Sequence, residues 1–461
     1  REDGVIFVSI DDNEVYHLRL LMNEVFGEEN FVASLIWEKY FSVKSTARHF
    51  SVNHEYILVY ARDSEIWEPE LLPRTEEADS RYGNPDGDPR GPWASGPLQA
   101  RNYYSKGKYK VVSPSGREFL PPTGTYWRVS QETFEELQRD NRIWWGADGQ
   151  NVPRMKRFLS EVKQGMVPDT LWEYEDAGHT QEAKEDLLEV VDFQHAENVL
   201  RTLKPTRLIA RMLKIGTDGG AGDIVLDFFA GSASAADAIL RQNREDGGNR
   251  RFIMVQFPEQ LPEPEPHLDT IADVARMRIR RVIENIEAGE QEQLGLRPHE
   301  DLGFKVFRLA PSTFRQWEPP EGDGAEALEE QLALFDRGLE EGADPRDVIY
   351  EVILKLGYSL NATIEPLELE TNRVFKVTGT SEVPVTSPDE ESQANDKPAP
   401  AKPSPGTSHP SRFFICLDDH LQNTTIDALP LDKETTFVCL DTALDDSQKV
   451  NLAMHSLLKV I

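Results

Sequence analysis

Apolar side chains recur along the chain with two periods, and the switches between them lay out the elements. Residues 4–10 (GVIFVSI) form a nearly unbroken apolar, β-branched run that predicts a buried strand. Val15, Leu18, Leu21, Met22 and Val25 fall at helical spacing over 12–26, and Gly27 is positioned to close that helix. Strands follow at Val32–Glu38 and Tyr56–Ala61, a β-α-β opening of the kind that builds half of a doubly wound sheet. From about 63 to 190 Gly, Pro and aromatic residues become dense and the pattern stops, which reads as an inserted domain. Helical spacing returns over 198–214, with Leu200, Leu203, Leu208, Met212 and Leu213 on one stripe. A strand at Ile224–Phe228, a turn on Gly231, a small-residue helix from Ser232 to Gln242, a strand at Arg251–Phe257 and a long helix over 268–288 complete this part.

A further region begins near Gly303, with helices expected at 325–341 and 345–357 and strands near 373–378, 413–417 and 436–440. Residues 381–411 are rich in Pro, Ser, Thr and acids, too polar to fold alone, and predict a mobile linker. There is no internal repeat, no apolar run of the roughly 18 residues that a membrane span needs, and no charged-then-apolar leader. The chain opens on Arg1, on the brink of a strand, as a fragment would. Cys416 and Cys439 sit inside apolar runs and are expected as buried thiols, not metal ligands; the cytoplasm is the expected location.

Charge changes the picture in one place. The chain has 461 residues, enough for two to four domains, and a net charge of −31, which by itself opposes binding to a polyanion. Between 101 and 163, however, twelve basic residues face seven acidic ones. Tyr103, Tyr104, Tyr109, Tyr126, Trp127, Trp144 and Trp145 are interleaved with them. Cations for phosphates and rings for stacking suit DNA, with Arg101, Lys106, Lys108, Arg128, Arg154 and Lys156 as the candidate contacts. A solvated face over a buried aromatic core is the competing reading. Arg276, Arg278, Arg280 and Arg281 fit either phosphate contact or a solvated helix face, and His54–Glu55 reads as a strand-edge pair.

The stretch Ile224–Ala235 (IVLDFFAGSASA) carries the candidate chemistry. A parallel strand ends at Asp227 and turns on a glycine into a helix, and in open α/β sheets ligands bind at such carboxyl ends. An acidic side chain there suits a cationic part of a ligand. A tight turn in an α/β protein that binds nothing would look much the same.

Asp227-Phe228-Phe229-Ala230-Gly231-Ser232 resembles the D-x-F-x-G-S signature of amino-methylating DNA methyltransferases. The usual continuation is Gly-Thr-Thr; here Ala233-Ser234-Ala235 stands, and a methyl group at Ala233 is expected to restrict backbone approach without abolishing binding. Lys204-Pro205-Thr-Arg-Leu-Ile209 resembles the segment that closes over the cofactor in that family, and Gln256 stands where relatives often carry an acid for the ribose hydroxyls. Asp3–Asp12, His54–Tyr60, Tyr126–Arg128, Pro153–Lys156, Leu171–Trp172, the GFKVFRLAPSTFRQW stretch and the CLDTAL segment are similar to modification subunits of Type III restriction systems.

The resemblance implies a doubly wound, Rossmann-like α/β S-adenosylmethionine-dependent methyltransferase domain with an inserted target-recognition domain and a smaller α+β C-terminal region. Its divisions would be 1–63 (rest of the catalytic half), 64–190 (recognition insert), 191–300 (cofactor half) and 301–461. It implies S-adenosylmethionine as cofactor, methyl transfer to adenine N6 in double-stranded DNA, and a homodimer or a restriction helicase-nuclease subunit as partner. The family's Asp-Pro-Pro-Tyr motif is not in this sequence: Pro121–Pro122 lies between Leu120 and Thr123. It is expected upstream of Arg1, so the covered chain should be inactive alone. A split or decayed subunit, and a methyltransferase acting on a small molecule or protein, remain open; the basic aromatic insert speaks against the latter.

Overall fold

The computed structural model describes residues 1–292, 302–316, 338–380 and 410–461; the helix expected at 325–341 and the linker at 381–411 fall almost wholly outside them. The chain divides into two compact units, Arg1–Leu302 and Gly303–Ile461. No helix among the described residues is long and apolar enough to cross a membrane.

The first unit opens with β1 (Val5–Ile10), α1 (Val15–Phe26), β2 (Phe31–Glu38) and β3 (His54–Ala61). Strand β3 lies between β1 and β2 and runs antiparallel to both, in register from Val5↔Ala61 to Ile10↔Tyr56 on one side. The β-α-β opening is therefore a crossover with a third strand set between its parallel pair. On one face of β3, Leu58 and Tyr60 pack against Val15 and Met22 of α1. Leu21 and Val25, expected on the same stripe, are exposed instead.

The insert comprises α2 (Glu76–Ser80), β4 (Trp93–Pro97), β5 (Gln99–Ala100), β6 (Val111–Val112), β7 (Glu118–Phe119), β8 (Tyr126–Trp127), α3 (Gln131–Arg139), β9 (Ile143–Trp144) and β10 (Arg154–Phe158). Its ladders are short: β4–β10–β9, β5–β8 and β6–β7. Leu98, Val111, Trp127, Phe134, Ile143 and Trp145 form its core. Strand β11 (Leu171–Trp172) returns to pair in parallel with β2, and α4 (Tyr174–Ala177) and α5 (Thr180–Leu188) follow.

Helix α6 (Thr206–Gly216) starts eight residues later than its apolar spacing suggests. Pro205 has no N–H and takes an extended conformation as the cap, while Asp186 accepts from the N–H and hydroxyl of Thr206. Leu208, Met212 and Ile215 of α6 cover the other face of the first sheet against Leu35, Trp37, Ile57 and Val59. With α1 opposite, this is the doubly wound arrangement. Ile209 and Leu213 of the same helix turn to a second core with Val225, Ala238, Ile239, Phe252 and Met254.

That core belongs to β12 (Ile224–Asp227), α7 (Ser234–Asp246), β13 (Arg251–Met254), β14 (Gln260–Glu265), β15 (Leu268–Thr270) and α8 (Ile271–Glu292). Strands β12 and β13 pair in parallel. Among the described residues, only one face of this ladder is covered: on the other, Ile224, Leu226, Ile253 and Val255 are 50–56% exposed. Among the described residues, β1 pairs only with β3 and β12 only with β13, so each keeps a free edge.

The second unit is a five-stranded sheet in the order β16 (Thr363–Leu367), β17 (Val374–Thr380), β18 (Pro410–Cys416), β19 (Thr436–Cys439) and β20 (Leu457–Val460). It is antiparallel through β18 and parallel beyond. Helix α9 (Pro345–Lys355) packs Val348, Ile349, Val352 and Ile353 on one face. Cys416 and Cys439 are opposite each other on β18 and β19, buried on the other face, and burial pushes their thiols up to about 11 and about 12.

Leu208 is completely buried, whereas Leu20 on α1 is 67% exposed. Leu208→Ala is expected to cost about 2–5 kcal/mol, read as a lower urea midpoint at unchanged slope, and Leu20→Ala less than about 1 kcal/mol.

Candidate functional site

Strand β12 ends at Asp227, whose carboxylate accepts the Phe229 N–H at 3.1 Å. Burial raises the pKa of this carboxyl above its ordinary value, and the Phe229 N–H offsets part of the effect. Phe228 and Phe229 face solvent, with ring centroids 5.1 Å apart. The Ala230 N–H donates to Val255 O at 3.1 Å, fastening the turn to the strand beside it. Gly231 has φ +53°, and a Cβ there would find only one atom within 4 Å, the Phe229 carbonyl oxygen at 3.9 Å. Its N–H donates to Gln256 Oε1 at 2.6 Å, and Gln256 Nε2 donates to Phe257 O. The amide expected to face a ribose thus belongs to the turn's own hydrogen bonds.

Ala233 lies inside the turn. It adopts a left-handed conformation, φ +60° and ψ 38°, and is fully buried. Its methyl group is enclosed, and the missing glycine costs backbone strain of about 1–2 kcal/mol. Ala233 also caps α7 without a side-chain hydrogen bond. The neighbouring serines are engaged elsewhere: Ser232 Oγ and Ser234 Oγ accept from Arg278 Nη1 at 3.2 and 3.0 Å.

Arg278 has a role that neither reading of the 276–281 arginine cluster contained. It is completely buried on α8, donates from Nε to Asp237 Oδ2 at 2.9 Å, and is neither a phosphate contact nor part of a solvated face. The signals were an aspartate in the middle of a small-residue helix and an arginine inside the apolar repeat Val274, Ala275, Ile279 and Val282.

Lys204 and Pro205 lie at the start of α6. The Lys204 ammonium is held by Glu55 Oε2 and sits 4.9 Å from the Trp37 ring centroid, while Lys39 reaches Glu55 Oε1 at 2.9 Å. Burial acts to raise the Glu55 pKa, but the two lysines outweigh it and leave it below the usual value. Glu55 is thus the centre of an ion triad, a role the strand-edge reading did not contain.

In the insert, Gly107 approaches β8 so closely that a Cβ would lie 2.5 Å from Trp127 O, and the Trp127 N–H donates to its carbonyl. This contact and the β5–β8 ladder bring together the segments that carry Arg101, Lys106, Lys108 and Arg128, all exposed. Lys108 Nζ lies 5.1 Å from the Tyr126 ring centroid, and exposed Tyr103 stacks edge-on against it. Arg154 is exposed on β10, with its guanidinium on Ser95 Oγ and O, both at 2.9 Å.

Lys156 is a correction: it is 1% exposed, and its ammonium is tied to Asp86 and to Asp88 Oδ2 at 3.1 Å. Asp88 also binds Arg90, which with Lys156 holds its carboxyl far below the ordinary value. Trp127 and Trp145 are core residues, and Tyr103 and Tyr104 are the exposed rings of the set.

These features define an α/β unit with a glycine turn open at a strand's carboxyl end and a basic surface on its insert. The sequence profile described as DNA methylase matches residues 1–261. The chain belongs to this DNA methylase family. It is 32% identical over 323 residues to the StyLTI Mod subunit, a Type III restriction-modification enzyme of Salmonella typhimurium, covering 68% of this chain and 46% of the relative. It is 26% identical to the EcoP15I Mod subunit of Escherichia coli over 68% and 50% of the two chains. It is 29% identical to the Type II methyltransferase M.EcaI of Enterobacter cloacae over 51% and 48%. The chain spans about half the length of these curated relatives.

The raised Asp227 pKa has a consequence for stability. Its ionised form is disfavoured in the fold, so a penalty builds as pH rises from the unfolded value, about 3.9, through the higher folded one. Asp227→Asn should therefore raise the melting temperature at pH 7, and the gain should vanish in acid below the ordinary carboxylate range.

Proposed function

We propose that this chain is the cofactor-binding and DNA-recognition part of a site-specific methyltransferase acting on adenine N6 in double-stranded DNA. The observation that carries this reading is the β12 turn, which is open beside Gly231 and carries a partly desolvated acid at Asp227. S-adenosylmethionine supplies a methyl group activated on a sulfonium. Asp227 favours the cationic ligand, since neutralising a desolvated carboxylate recovers its burial cost. Phe228 and Phe229 offer apolar faces, and the backbone of Ala230, Gly231 and Ser232 forms the cradle. Lys204 and Pro205 act from the start of α6, with Lys204 positioned by Glu55.

The uncovered face of β12–β13 and the free edges of β1 and β12 support a further strand and helix in the working enzyme. We assign to that segment the Asp-Pro-Pro-Tyr motif. Its carboxylate and a carbonyl would accept hydrogen bonds from the extruded base's amine, and its ring would stack on the base. Arg101, Lys106, Lys108, Arg128 and Arg154 contact phosphates, and residues 64–190 form the recognition domain. The setting is a cytoplasmic restriction-modification system, with a second copy or a restriction helicase-nuclease subunit as partner. A split subunit, completed by another chain, is the second reading that the same open face favours.

Calorimetric titration of S-adenosylmethionine is expected to give one-to-one binding, lost in Asp227→Ala; a folded chain that binds none would contradict the reading. DNA affinity should fall with salt, and alanine at Arg101, Lys106, Lys108, Arg128 or Arg154 should each reduce the log–log slope by about 1. Lys156→Met should leave the slope unchanged while lowering the insert's resistance to urea. Purified residues 1–461 should transfer no methyl group to DNA until a segment bearing the motif is added.

A further inference from the structure

Arg278 reaches the turn from outside the signature, forty-one residues after Asp237. Its Nη1 bonds the hydroxyls of Ser232 and Ser234, the two residues flanking Ala233. Its Nη2 lies 2.9 Å from Asp237 Oδ2, and Asp237 also takes Arg241 Nε, so the guanidinium itself is anchored. Of these five side chains, all but Arg241 are buried.

Left-handed backbone is native to glycine and strained for alanine. A strained residue persists only where its surroundings over-determine it. Here the surroundings are two hydrogen bonds, one on each side of Ala233, both from Nη1 of a guanidinium whose Nε is held by Asp237. A lysine keeps the charge but cannot hold Asp237 through one nitrogen and both serines through another.

We propose that Arg278 is the positioning residue of the cofactor turn: through Ser232 and Ser234 it holds Ala233 in the left-handed conformation and so sets the backbone that receives the ligand. This rests on the reading of the turn as the S-adenosylmethionine site. The clamp does for this chain what a glycine at 233 would do through conformational freedom alone. Its importance must therefore fall when that glycine is supplied.

The test is a cycle of Arg278→Lys and Ala233→Gly, with S-adenosylmethionine affinity measured by calorimetry. Arg278→Lys is expected to weaken binding about tenfold in the native background and less than about threefold in the Ala233→Gly background. A purely structural role would give equal losses in both and would overturn the proposal. Should Arg278→Lys fail to fold, Ser232→Ala with Ser234→Ala removes the clamp's grip and leaves the Arg278–Asp237 pair. Amide hydrogen exchange at 231–235 in the unliganded chain supplies the second readout. It should quicken in Arg278→Lys and in the serine variant relative to β3 amides, and less so once Ala233→Gly is added. Unchanged exchange would refute the clamp. If no chain binds S-adenosylmethionine, the cofactor reading fails, and exchange alone still decides whether Arg278 holds the turn.

Discussion

The ion pair between Arg278 and Asp237 is the constraint around which the second half of the first unit is organised. Both side chains are fully excluded from water. Removing two charges from solvent costs several kcal/mol per ion and is tolerated only where hydrogen bonds compensate, as those from Arg278 Nε and Nη1 do here. That condition requires α8, α7 and the turn before α7 to lie together, because each contributes a partner: Arg278, Asp237, and the two serines. A turn whose open side must meet a ligand is thereby fixed from its closed side. Replacing one partner of such a pair leaves an uncompensated charge, so the arrangement resists drift as well as deformation.

Helix α6 extends this rigidity to the other sheet. One of its faces completes the core of β1–β3–β2 and another completes the core of β12–β13. The two ladders are held at a common helix with no hydrogen bonds joining them among the described residues. Its start carries Lys204, fastened to Glu55 on β3, so the helix is tied to the first sheet by charge as well as by packing. Among the described residues, the outer edges of β1 and β12 are unpaired and the apolar face of β12–β13 lies on the side away from this helix's packing.

Much of the fold was legible because its strands are continuous apolar runs: β1, β3, β12 and β13 fall within two or three residues of their expected places. Strand order was not, since periodicity carries no information on neighbours, and β3 set itself between β1 and β2. The glycine turn was legible from its residue types. The conformation of Ala233 was not, because it depends on an arginine more than forty residues away. Lys156 was misread for a related reason: its charge is neutralised by Asp86 and Asp88, about seventy residues earlier, and net charge over a window cannot register such pairing. Trp127 and Trp145 looked like stacking rings because a small core needs large aromatics as much as a DNA surface does.

The central claim is that the turn from Asp227 to Ala233 receives the cofactor. Ultraviolet crosslinking of methyl-labelled S-adenosylmethionine to the folded chain, followed by peptide mapping, tests it most directly. The account predicts label on the peptide containing Phe228 and Phe229, competed away by unlabelled S-adenosylmethionine. Saturable label confined to any other peptide would contradict it.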